Sequence, residues 1–572
     1  MLLASLVLLS HCSTPHQPLG IDPYFSSHQA AYTGSDLLSE VSAIEKKEAL
    51  GRLERKRLYD LYQAELSYLK PGSSRHASVT AAAAKLKPET ESWDAERAEI
   101  ERETREENKK AEVKALAGPR PLSSPEYRKL YSEVMQLWNK EQQDQALVRL
   151  DSLMQGGLAS ASAGDRNKFL QIGFRIALER ADLSRAGKLF SQMQENEGCG
   201  YETNVSGFLY SLTILGEGRD TEALKLFESL CEIEDSPAER IRRDYWLARM
   251  MAKTDPPKSK ELFEKIAGLP IPGYHTFFAL YHLERKYEVP TAAPDVPLRP
   301  YLTEAISVPE EIHMDWLAAE ERLRFNLRRD AQTFLLRVSA QLRREPSESR
   351  VPAMLYTAHL FHAAGNHLEA MRLYSEVATV LASDYDADRT QITPTVLGDM
   401  FPRPSPGKTE WLSHLWDMDP DYVYAIARQE SAFNPTAVSA TDARGWMQLM
   451  PPLAKSIAKS WGLDGKFNEK YLFHVDENLK FGVFHLRQLR DLLGHPALMA
   501  GAYNAGASRA VNWQKRYGAY PLDIFVELVP INETRNYIKL VLRNFFLYKG
   551  LRFGAVDPKI ISFQLAPKPS LP

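Results

Sequence analysis

A single glutamate, Glu430, stands in a predicted helix at a position where acidic side chains are uncommon. Asp419-Pro420 is typical of a helix N-cap followed by the first helical residue, and Asn434-Pro435 is typical of a stop, so the sequence predicts about four helical turns between them. At the spacing i, i+3, i+4 and i+7, Glu430 falls on the apolar stripe of this helix. The other members of that stripe are Val423, Ile426 and Ala427.

This position removes the Glu430 carboxylate partly from water. Desolvation disfavours the charged form, so we expect the pKa of Glu430 to rise toward the range in which a carboxyl group donates a proton near neutral pH. A side chain that does so can act as a general acid. The alternative is a glutamate at the edge of the stripe whose carboxylate reaches solvent and has no catalytic role.

The composition is that of an ordinary globular protein. The chain has 572 residues, of which 44% are hydrophobic and 25% are charged, and this length suits about three or four domains. A net charge of -3 and a pI of about 6.6 give no overall field that would attract nucleic acid. We therefore expect no nucleic-acid partner.

Residues 1–12 form a short apolar run without Lys, Arg, Asp or Glu. The run is too short to cross a bilayer and has the length of a signal-peptide core, so we expect export to the periplasm. Leu9-Ser10-His11-Cys12 is similar to the cleavage box of bacterial lipoproteins, although His11 stands where a small residue is usual. Two alternatives remain: an outer-membrane lipoprotein anchored through lipidated Cys12, or a signal peptide cleaved elsewhere.

Two further cysteines, Cys199 and Cys231, remain if Cys12 carries lipid. In an oxidising compartment such a pair can form a disulfide, and two free buried thiols are the alternative. The sequence leaves the choice open, because it does not say whether the two Cα atoms come within bonding range.

Residues 13–120 are polar and irregular, with dense mixed charge between Glu89 and Lys114. We therefore expect a charged segment of low order over 13–120. The stretch from Glu89 to Lys114 has so few apolar residues that it predicts a solvated helix or a disordered spacer without chemistry of its own.

From residue 121 to 390 the pattern predicts helix after helix, with a recurring phrase. The phrases begin at Ala186, Ala223, Ser259 and Ala370, which are 37, 36 and 111 residues apart, the last being three times 37. A period near 37 is typical of helix-hairpin solenoids of the tetratricopeptide kind. We therefore expect an α-superhelical solenoid in which the Leu and aromatic residues of each phrase are core.

Proline-rich residues 391–412 interrupt this pattern and predict a linker. Residues 413–555 predict a second helical domain that carries motifs in place of repeats. Residues 556–572, which contain several prolines, predict a loose tail.

The motifs of this second domain resemble the catalytic domain of the soluble lytic transglycosylases, lysozyme-like enzymes that cleave bacterial peptidoglycan. Large members of the family place an α-superhelix before this domain. The resemblance therefore implies an all-α chain, with a helical-hairpin (TPR-like) superhelix followed by a lysozyme-like, mainly α-helical catalytic domain. The motifs, in order, are Glu430-Ser431, Gly445-Trp446-Met447-Gln448, Glu477-Asn478, Ala502-Tyr503-Asn504-Ala505-Gly506, and Glu533 with Tyr537.

The resemblance implies a lyase acting on a polysaccharide. In the family, one glutamate protonates the glycosidic oxygen between N-acetylmuramic acid and N-acetylglucosamine. The same glutamate then takes the proton from the C6 hydroxyl, which closes a 1,6-anhydro ring. Glu430 matches this residue, and the domain offers one well-placed carboxylate where most glycosidases need two.

The resemblance also implies substrate-binding residues around Glu430. Met447 and Gln448 match a substrate-lining segment of the family. Tyr503 and Asn504 match the pair beside the acid, where a tyrosine hydroxyl can orient the carboxylate. For each of these the alternative is helix packing or a turn.

Glu533 and Tyr537 lie at i and i+4 of a predicted helix and so share a face; in the family this helix closes the groove. We expect Ser431 to make a local polar contact. Gly445 and Gly506 are expected to serve the backbone and not a ligand.

Three residues depart from the family pattern. Trp446 stands where leucine is usual and is expected to enlarge a wall of the site. Ile531 stands where an aromatic residue is usual, and Asp442 where a glycine is common. Asp442 is therefore expected to accept a positive φ, which aspartate tolerates better than most residues.

Two other functions remain open. A muramidase-type hydrolase would need a second carboxylate to activate water, and Asp442, Asp464 and Glu533 are the candidates. An envelope scaffold would bind glycan with the C-terminal domain and protein partners with the solenoid.

We expect peptidoglycan strands as partner and contact with a membrane only through a lipid anchor. We expect no cofactor and no metal, because the 14 histidines show no HExxH or cysteine-paired spacing. His474, His485 and His495 are expected to be surface or core residues.

Overall fold

The computed structural model describes most of the chain from residue 124 to residue 565. The described residues divide into two compact units: those within 1–116 and 298–370, and those within 117–297 and 371–572. The solenoid predicted over 121–390 is therefore not one unit, because its helices up to residue 297 group with the C-terminal domain. The described residues are 58, 62, 66, 73–85, 124–140, 142–158, 160–231, 236–289, 308–342, 347–382, 392, 394–463, 465 and 467–565.

In the second unit, residues 117–297, here called the repeat region, fold as helical hairpins. Helix α3 packs against α4, α5 against α6, and α7 against α8. A short π-helical turn, Leu153–Gly157, follows α2. The helices are α1 (Pro125–Asn139), α2 (Gln143–Ser152), α3 (Ala163–Glu179), α4 (Leu183–Asn196), α5 (Tyr201–Gly216), α6 (Asp220–Glu228), α7 (Pro237–Met251), α8 (Pro256–Ala267) and α9 (Tyr274–His282).

Side-chain caps explain where several of these helices begin. Ser162, Asp182, Ser236 and Asp255 each accept a hydrogen bond from a backbone N–H of the first helical turn. Such a bond satisfies one of the donors that a helix leaves unpaired at its start.

The recurring phrase lies in the second helix of each hairpin, in α4, α6 and α8. Its aromatic members Phe190, Phe227 and Phe263 are all buried. This confirms the prediction that the phrase supplies core residues of stacked hairpins.

Cys199 and Cys231 form a disulfide across 32 residues of this region, with their Cα atoms 5.5 Å apart. The alternative of two free thiols is therefore wrong. Cys12 and residues 1–12 lie outside the described residues.

Part of the segment predicted to be of low order is folded. Residues 74–85 are helical, and Val79 and Ala83 are buried. The prediction of low order over 13–120 is therefore wrong at residues 74–85, because a regular apolar spacing gives the helix a face to bury.

In the first unit, α10 packs against α11, and the indole N–H of Trp316 donates to the Thr357 hydroxyl at 3.0 Å. The last phrase begins at Ala370 in α13, where Leu373 and Tyr374 are buried as predicted. The helices over this part of the chain are α10 (Glu310–Arg324), α11 (Arg328–Leu342), α12 (Ser347–Ala363) and α13 (His367–Ala382).

The segment predicted as a linker is packed. Residues 394–415 form two helices, and Val396, Leu397 and Phe401 are buried. The linker prediction is wrong here because Pro394 and Pro406 begin these helices, and a proline is well tolerated in a first helical turn.

The C-terminal domain is helical, as predicted. A 3₁₀ turn, Glu469–Phe473, precedes α18, and a second one, Pro558–Ile560, follows α22. The helices from residue 394 onward are α14 (Pro394–Met400), α15 (Pro406–Leu415), α16 (Pro420–Ser431), α17 (Pro451–Ser460), α18 (Val475–Leu493), α19 (Pro496–Ala505), α20 (Ala507–Tyr517), α21 (Leu522–Leu528) and α22 (Asn532–Phe553).

The tail prediction is wrong up to residue 565. Strand β1 (Tyr287–Glu288) of the repeat region pairs antiparallel with β2 (Ala555–Val556), with Tyr287 opposite Val556. Ile561 and Leu565 are buried. The prolines that predicted a loose tail lie beyond these residues.

None of the helices in the described residues combines the length and apolar character that a membrane span requires.

Candidate active site

Helix α16 places Glu430 one residue before its own end. The Asp419 side chain caps the helix, and Pro420 is its first residue, as predicted. Helix α16 ends at Ser431, three residues before the predicted stop, because Ala432 and Phe433 adopt positive φ angles of 51° and 63°. The backbone therefore turns sharply directly after the candidate acid.

The stripe that predicted a desolvated glutamate is buried. Val423, Ile426 and Ala427 are at most 1% exposed, whereas Glu430 itself is only partly covered. Its carboxyl group lies where the apolar stripe meets the surface. Each of the two predicted environments of Glu430 is therefore correct in part: the residue lies at the edge of the stripe near solvent, and its carboxyl group is still largely desolvated.

The Glu430 carboxylate is bound by a tyrosine and by no cation. The Tyr537 hydroxyl donates to Glu430 Oε1 at 2.5 Å. The pKa of Glu430 is raised to about 7, because desolvation and the charge of Glu533 raise it by more than the Tyr537 hydrogen bond lowers it. In the described part of the chain no Lys, Arg or His forms a salt bridge with it. At neutral pH a large fraction of Glu430 is therefore protonated.

Tyr503, the residue expected to orient the carboxylate, has a different partner. Its hydroxyl donates to the Met447 carbonyl at 2.7 Å. Tyr503 still lies close to the acid. Burial raises the pKa of Tyr503 most, and the negative charge of Glu430 raises it further. Tyr537 on α22 therefore takes the orienting role that the sequence interpretation gave to Tyr503.

Helix α22 brings two predicted residues to the acid together. Tyr537 is buried, and Glu533, one turn earlier, is exposed and close enough to act on the Glu430 pKa. Between them, Thr534 donates to Asn504 Oδ1 at 2.6 Å, which ties α22 to the end of α19. Asn504 is therefore linked to the site by its hydrogen bond with α22.

A loop after α16 forms another side of the site. Ser431 Oγ donates to the Trp446 carbonyl at 2.8 Å, which is the local polar contact expected of it. The Gln448 amide nitrogen donates to the carbonyls of Ala437 and Gly445 at 3.1 and 2.9 Å. The amide of Gln448 thus braces the loop, and the residue stays half-buried.

Met447 is placed in the core, contrary to the expectation that its side chain lines the substrate. The residue is fully buried and packs on Gly482 of α18. A Cβ atom at Gly482 would lie 2.2 Å from Met447 Sδ, so only glycine leaves room for this methionine. Only the Met447 carbonyl, through Tyr503, remains connected to the site.

Trp446 does not form a wall of the site as expected. It is buried, and its ring meets that of Phe433 edge to face at 5.4 Å. The positive φ of Phe433, which follows the end of α16, turns this ring into the protein. Asp442, by contrast, adopts the predicted positive φ, at 69°.

Asn478 holds the loop and received no role from the sequence. It is fully buried, its Nδ2 donates to the carbonyls of Arg444 and Leu472, and its Oδ1 accepts from the Met447 N–H at 2.8 Å. Gly445, with φ of 74°, allows this close approach, because a Cβ there would lie 2.1 Å from the Leu472 carbonyl oxygen. Its place beside Glu477 in one of the family motifs was the available signal.

Of the three candidate second carboxylates for a hydrolase, Asp442 and Glu533 are among the described residues. Asp442 is exposed and pairs with Arg444 at 2.9 Å. Asp464 lies outside the described residues. Glu533 is near Glu430 and exposed. Within the described residues, no group of three or more His, Cys, Asp or Glu side chains could hold a metal ion.

The fold and the site define a lysozyme-like, mainly α-helical domain with a single protonatable glutamate. Residues 413–525 match the model of the family described as "Transglycosylase SLT domain". This part of the chain therefore belongs to that domain family.

Curated relatives match about a quarter of the chain. Over 151 residues it is 34% identical to the soluble lytic murein transglycosylase of Escherichia coli K12, which covers 26% of this chain and 22% of that protein. Over 143 residues it is 41% identical to a Haemophilus influenzae protein assigned the same name, covering 25% and 24%. The chain thus spans about a quarter of the length of the curated relatives it matches.

A solved structure matches the fold over most of the chain. This is an inactive mutant of the lytic transglycosylase Slt from Pseudomonas aeruginosa, similar over 93% of this chain and 91% of that one, with a TM-score of 0.55 and 19% identity. At this identity the likeness shows the fold, which confirms the all-α class with its helical hairpins and C-terminal lysozyme-like domain.

Proposed function

We propose that the chain is a peptidoglycan lytic transglycosylase that cleaves the β-1,4 bond between N-acetylmuramic acid and N-acetylglucosamine and leaves 1,6-anhydro ends. The observation that carries the proposal is Glu430: its carboxyl group is desolvated, accepts a hydrogen bond from Tyr537, and pairs with no cation among the described residues. Such a group can donate a proton and then accept one near neutral pH.

The reaction uses Glu430 twice. The protonated carboxyl donates to the glycosidic oxygen while the bond from that oxygen to C1 of the muramic sugar breaks. The C6 hydroxyl of the same sugar then forms a bond to C1, and its proton returns to the Glu430 carboxylate. No water is consumed and Glu430 ends in its starting state, so one carboxylate suffices where a hydrolase would use two.

A nucleophile within the substrate gives a high effective concentration once the ring is held and water is kept out. In the proposed site Tyr537 orients the acid, and Tyr503, Asn504 and Glu533 lie around it. Ser431 and Gln448 shape the loop after α16. Met447 contributes to the site through its backbone carbonyl, which accepts the hydrogen bond of Tyr503.

The comparisons support this proposal. The matched relatives are named lytic murein transglycosylases, and the solved Pseudomonas enzyme was made inactive by a glutamate-to-glutamine change. We extend the proposal to an exported, periplasmic enzyme, anchored in the outer membrane if Cys12 is lipidated, with protein partners on the solenoid.

The test is mass spectrometry of the soluble products released from purified peptidoglycan sacculi by the full chain. Wild-type protein is expected to release anhydromuropeptides, and Glu430→Gln to release none above background, a loss of at least about a thousandfold. Glu410→Gln is the matched control, because Glu410 is a half-exposed glutamate of the same domain that only approaches Arg552, at 3.8 Å.

Other outcomes identify the alternatives. Products with ordinary reducing ends would indicate the hydrolase, and Asp442→Asn and Glu533→Gln would then show which second carboxylate activates water. Glycan binding without any product would indicate the scaffold. Anhydro products at the wild-type rate from Glu430→Gln would contradict the role of Glu430.

A further inference from the structure

Two carboxylates of the short helix α21 are buried against the repeat region. Asp523 and Glu527 are both fully buried, and each accepts from an arginine of α7. Arg249 Nε lies 2.7 Å from Asp523 Oδ2, and Arg242 Nη2 lies 3.2 Å from Glu527 Oε2. Helix α7 thus holds α21 through two charge-assisted bonds placed at i and i+7.

The two pairs differ in what lies on their other side. Asp523 also accepts from the Tyr245 hydroxyl, on α7 itself, and from the N–H of Ile524. Glu527 instead reaches α22, where Lys539 Nζ lies 2.6 Å from its Oε1. Of these two pairs, the Glu527 pair is the one that continues to α22, which also packs against α9 of the repeat region, where the rings of Phe277 and Phe546 stack at 4.7 Å.

A second cation fixes the same part of α22. Arg535 donates to the carbonyls of Glu527 and Val529, both at 3.1 Å. The first two turns of α22 are thus held from one side by Arg535 and Lys539. From the other side they present Tyr537 to Glu430 and Thr534 to Asn504.

We propose that Arg242 and Glu527 are positioning residues for the catalytic acid. By holding Lys539 they fix the start of α22, and this keeps the Tyr537 hydroxyl on Glu430. Through this buried ion pair the repeat region helps to fix the position of the Glu430 carboxyl group. The catalytic part of this inference rests on the proposed function. The predicted effect on the Glu430 pKa rests on the contacts alone.

Several charged and titratable groups surround Glu430 and Glu527, the two carboxyl groups that the proposal connects. Glu430 faces Glu533 and Tyr537 from α22 and Tyr503 from α19. The groups that act on Glu527 or are acted on by it are Arg242 of α7, His275 and Tyr274 of α9, Arg175 of α3, and Arg535 and Lys539 of α22; Glu239 of α7 pairs with Arg242.

The experiment compares Arg242→Met with Arg249→Met in the full chain. Both remove one α7 arginine from a buried carboxylate of α21, so both weaken the same contact between helices. Only Arg242→Met cuts the link to α22. We expect it to lower kcat roughly tenfold, the loss of one orienting hydrogen bond, with KM little changed.

The pH profile separates positioning from general destabilisation. Because the Tyr537 hydrogen bond lowers the pKa of Glu430, its loss in Arg242→Met should move the alkaline limb of kcat to higher pH. Arg249→Met should keep the wild-type limb. Arg242→Lys, which retains a cation, should restore much of the wild-type profile. Equal limbs in Arg242→Met and Arg249→Met would overturn the proposal.

A readout without substrate keeps this test independent of the proposed function. The carboxyl band of Glu430, taken as the infrared difference between each protein and its Glu430→Gln form, gives the titration midpoint directly. It should rise in Arg242→Met and not in Arg249→Met. Lys539→Met, which cuts the same link from α22, should behave like Arg242→Met and replaces it if that variant does not fold.

If the midpoint rises but no anhydro product forms in wild type, the proposed function fails and the positioning role stands. If wild type forms the product and the midpoint does not move in either Arg242→Met or Lys539→Met, the positioning role fails.

Discussion

Glu430 and Glu527 are two desolvated glutamates that contact the same helix, α22, yet their pKa values move in opposite directions. Burial and Glu533 raise the pKa of Glu430 to about 7, against one hydrogen bond from Tyr537. Burial also acts on Glu527, but its neighbours hold its pKa well below the usual value of 4.5.

Cations account for the difference. Arg242, Lys539 and Arg535 all surround Glu527 and outweigh its desolvation. Glu430 has no such neighbour in the described residues and is bonded by the neutral Tyr537 hydroxyl. Removal from water therefore does not by itself identify a catalytic acid; the charge of its partners decides whether the group is poised to give up a proton or is fixed as an anion.

Helix α22 separates these two environments by its own periodicity. Glu533 and Tyr537, four residues apart, face the candidate acid. Arg535 and Lys539, also four residues apart and offset by two, face Glu527. One face of α22 thus contacts the candidate acid, and the opposite face forms ion pairs with Glu527.

The largest expected effect comes from removing the charge of the paired glutamate. Glu527→Gln leaves Arg242, Lys539 and Arg535 buried without their anion, so we expect it to lower the free energy of unfolding by about 3–5 kcal/mol. Urea unfolding at pH 7 measures this change. Glu261→Gln, at an exposed glutamate paired with Lys258, is the control and should show no measurable loss.

The pH dependence of this loss has a fixed sign. Because the folded pKa of Glu527 lies below the unfolded one, its contribution is present above pH 4.5 and fades as the pH falls toward the folded value. A loss that stayed the same well below pH 4 would contradict the ion-pair explanation.

The same substitution at the other glutamate should stabilise the protein above neutral pH. The folded pKa of Glu430 is about 7 and its ordinary value is 4.5, so its contribution is full below pH 4.5 and is lost as the pH rises through 7. At about 1.4 kcal/mol per pKa unit, Glu430→Gln gains at most about 3.5 kcal/mol at pH 8.5, and less because the residue is partly exposed.

Thermal unfolding of wild type and Glu430→Gln at pH 4 and pH 8.5 measures this gain. The two proteins should unfold at nearly the same temperature at pH 4, and the variant should unfold at a higher temperature at pH 8.5. A variant that is less stable at pH 8.5 would mean that Glu430 is not desolvated.

Local pattern was enough to predict some of this arrangement and not the rest. The repeat period predicted the buried Phe190 and Phe227, and the helical stripe predicted the desolvation of Glu430, because both follow from spacing within one helix. The proline-rich stretches were misjudged as loose, since Pro394 and Pro406 begin packed helices.

Contacts between distant residues were beyond reach. Arg242 and Glu527 are 285 residues apart, and no spacing rule connects them. Which of Tyr503 and Tyr537 reaches Glu430 depends on how α19 and α22 pack. Met447 is buried because Gly482 of α18 leaves room for its side chain. The two residues are far apart in sequence, so their contact could not be predicted from spacing.

The smallest expected effects are the most specific to the acid, and they have opposite signs. Tyr537→Phe removes the hydrogen bond that lowers the Glu430 pKa, so the alkaline limb of kcat/KM should move to higher pH, with a roughly tenfold loss of rate from the misplaced acid. Glu533→Gln removes the charge that raises this pKa, so the limb should move to lower pH with little loss at the optimum.

Activity on a soluble muropeptide between pH 5 and pH 9 measures both limbs, and Glu410→Gln, at the half-exposed glutamate of α15, serves as the control. Shifts of the same sign in Tyr537→Phe and Glu533→Gln would show that the limb belongs to another group. Opposite shifts would assign it to Glu430, because these two side chains of α22 act on its pKa in opposite senses.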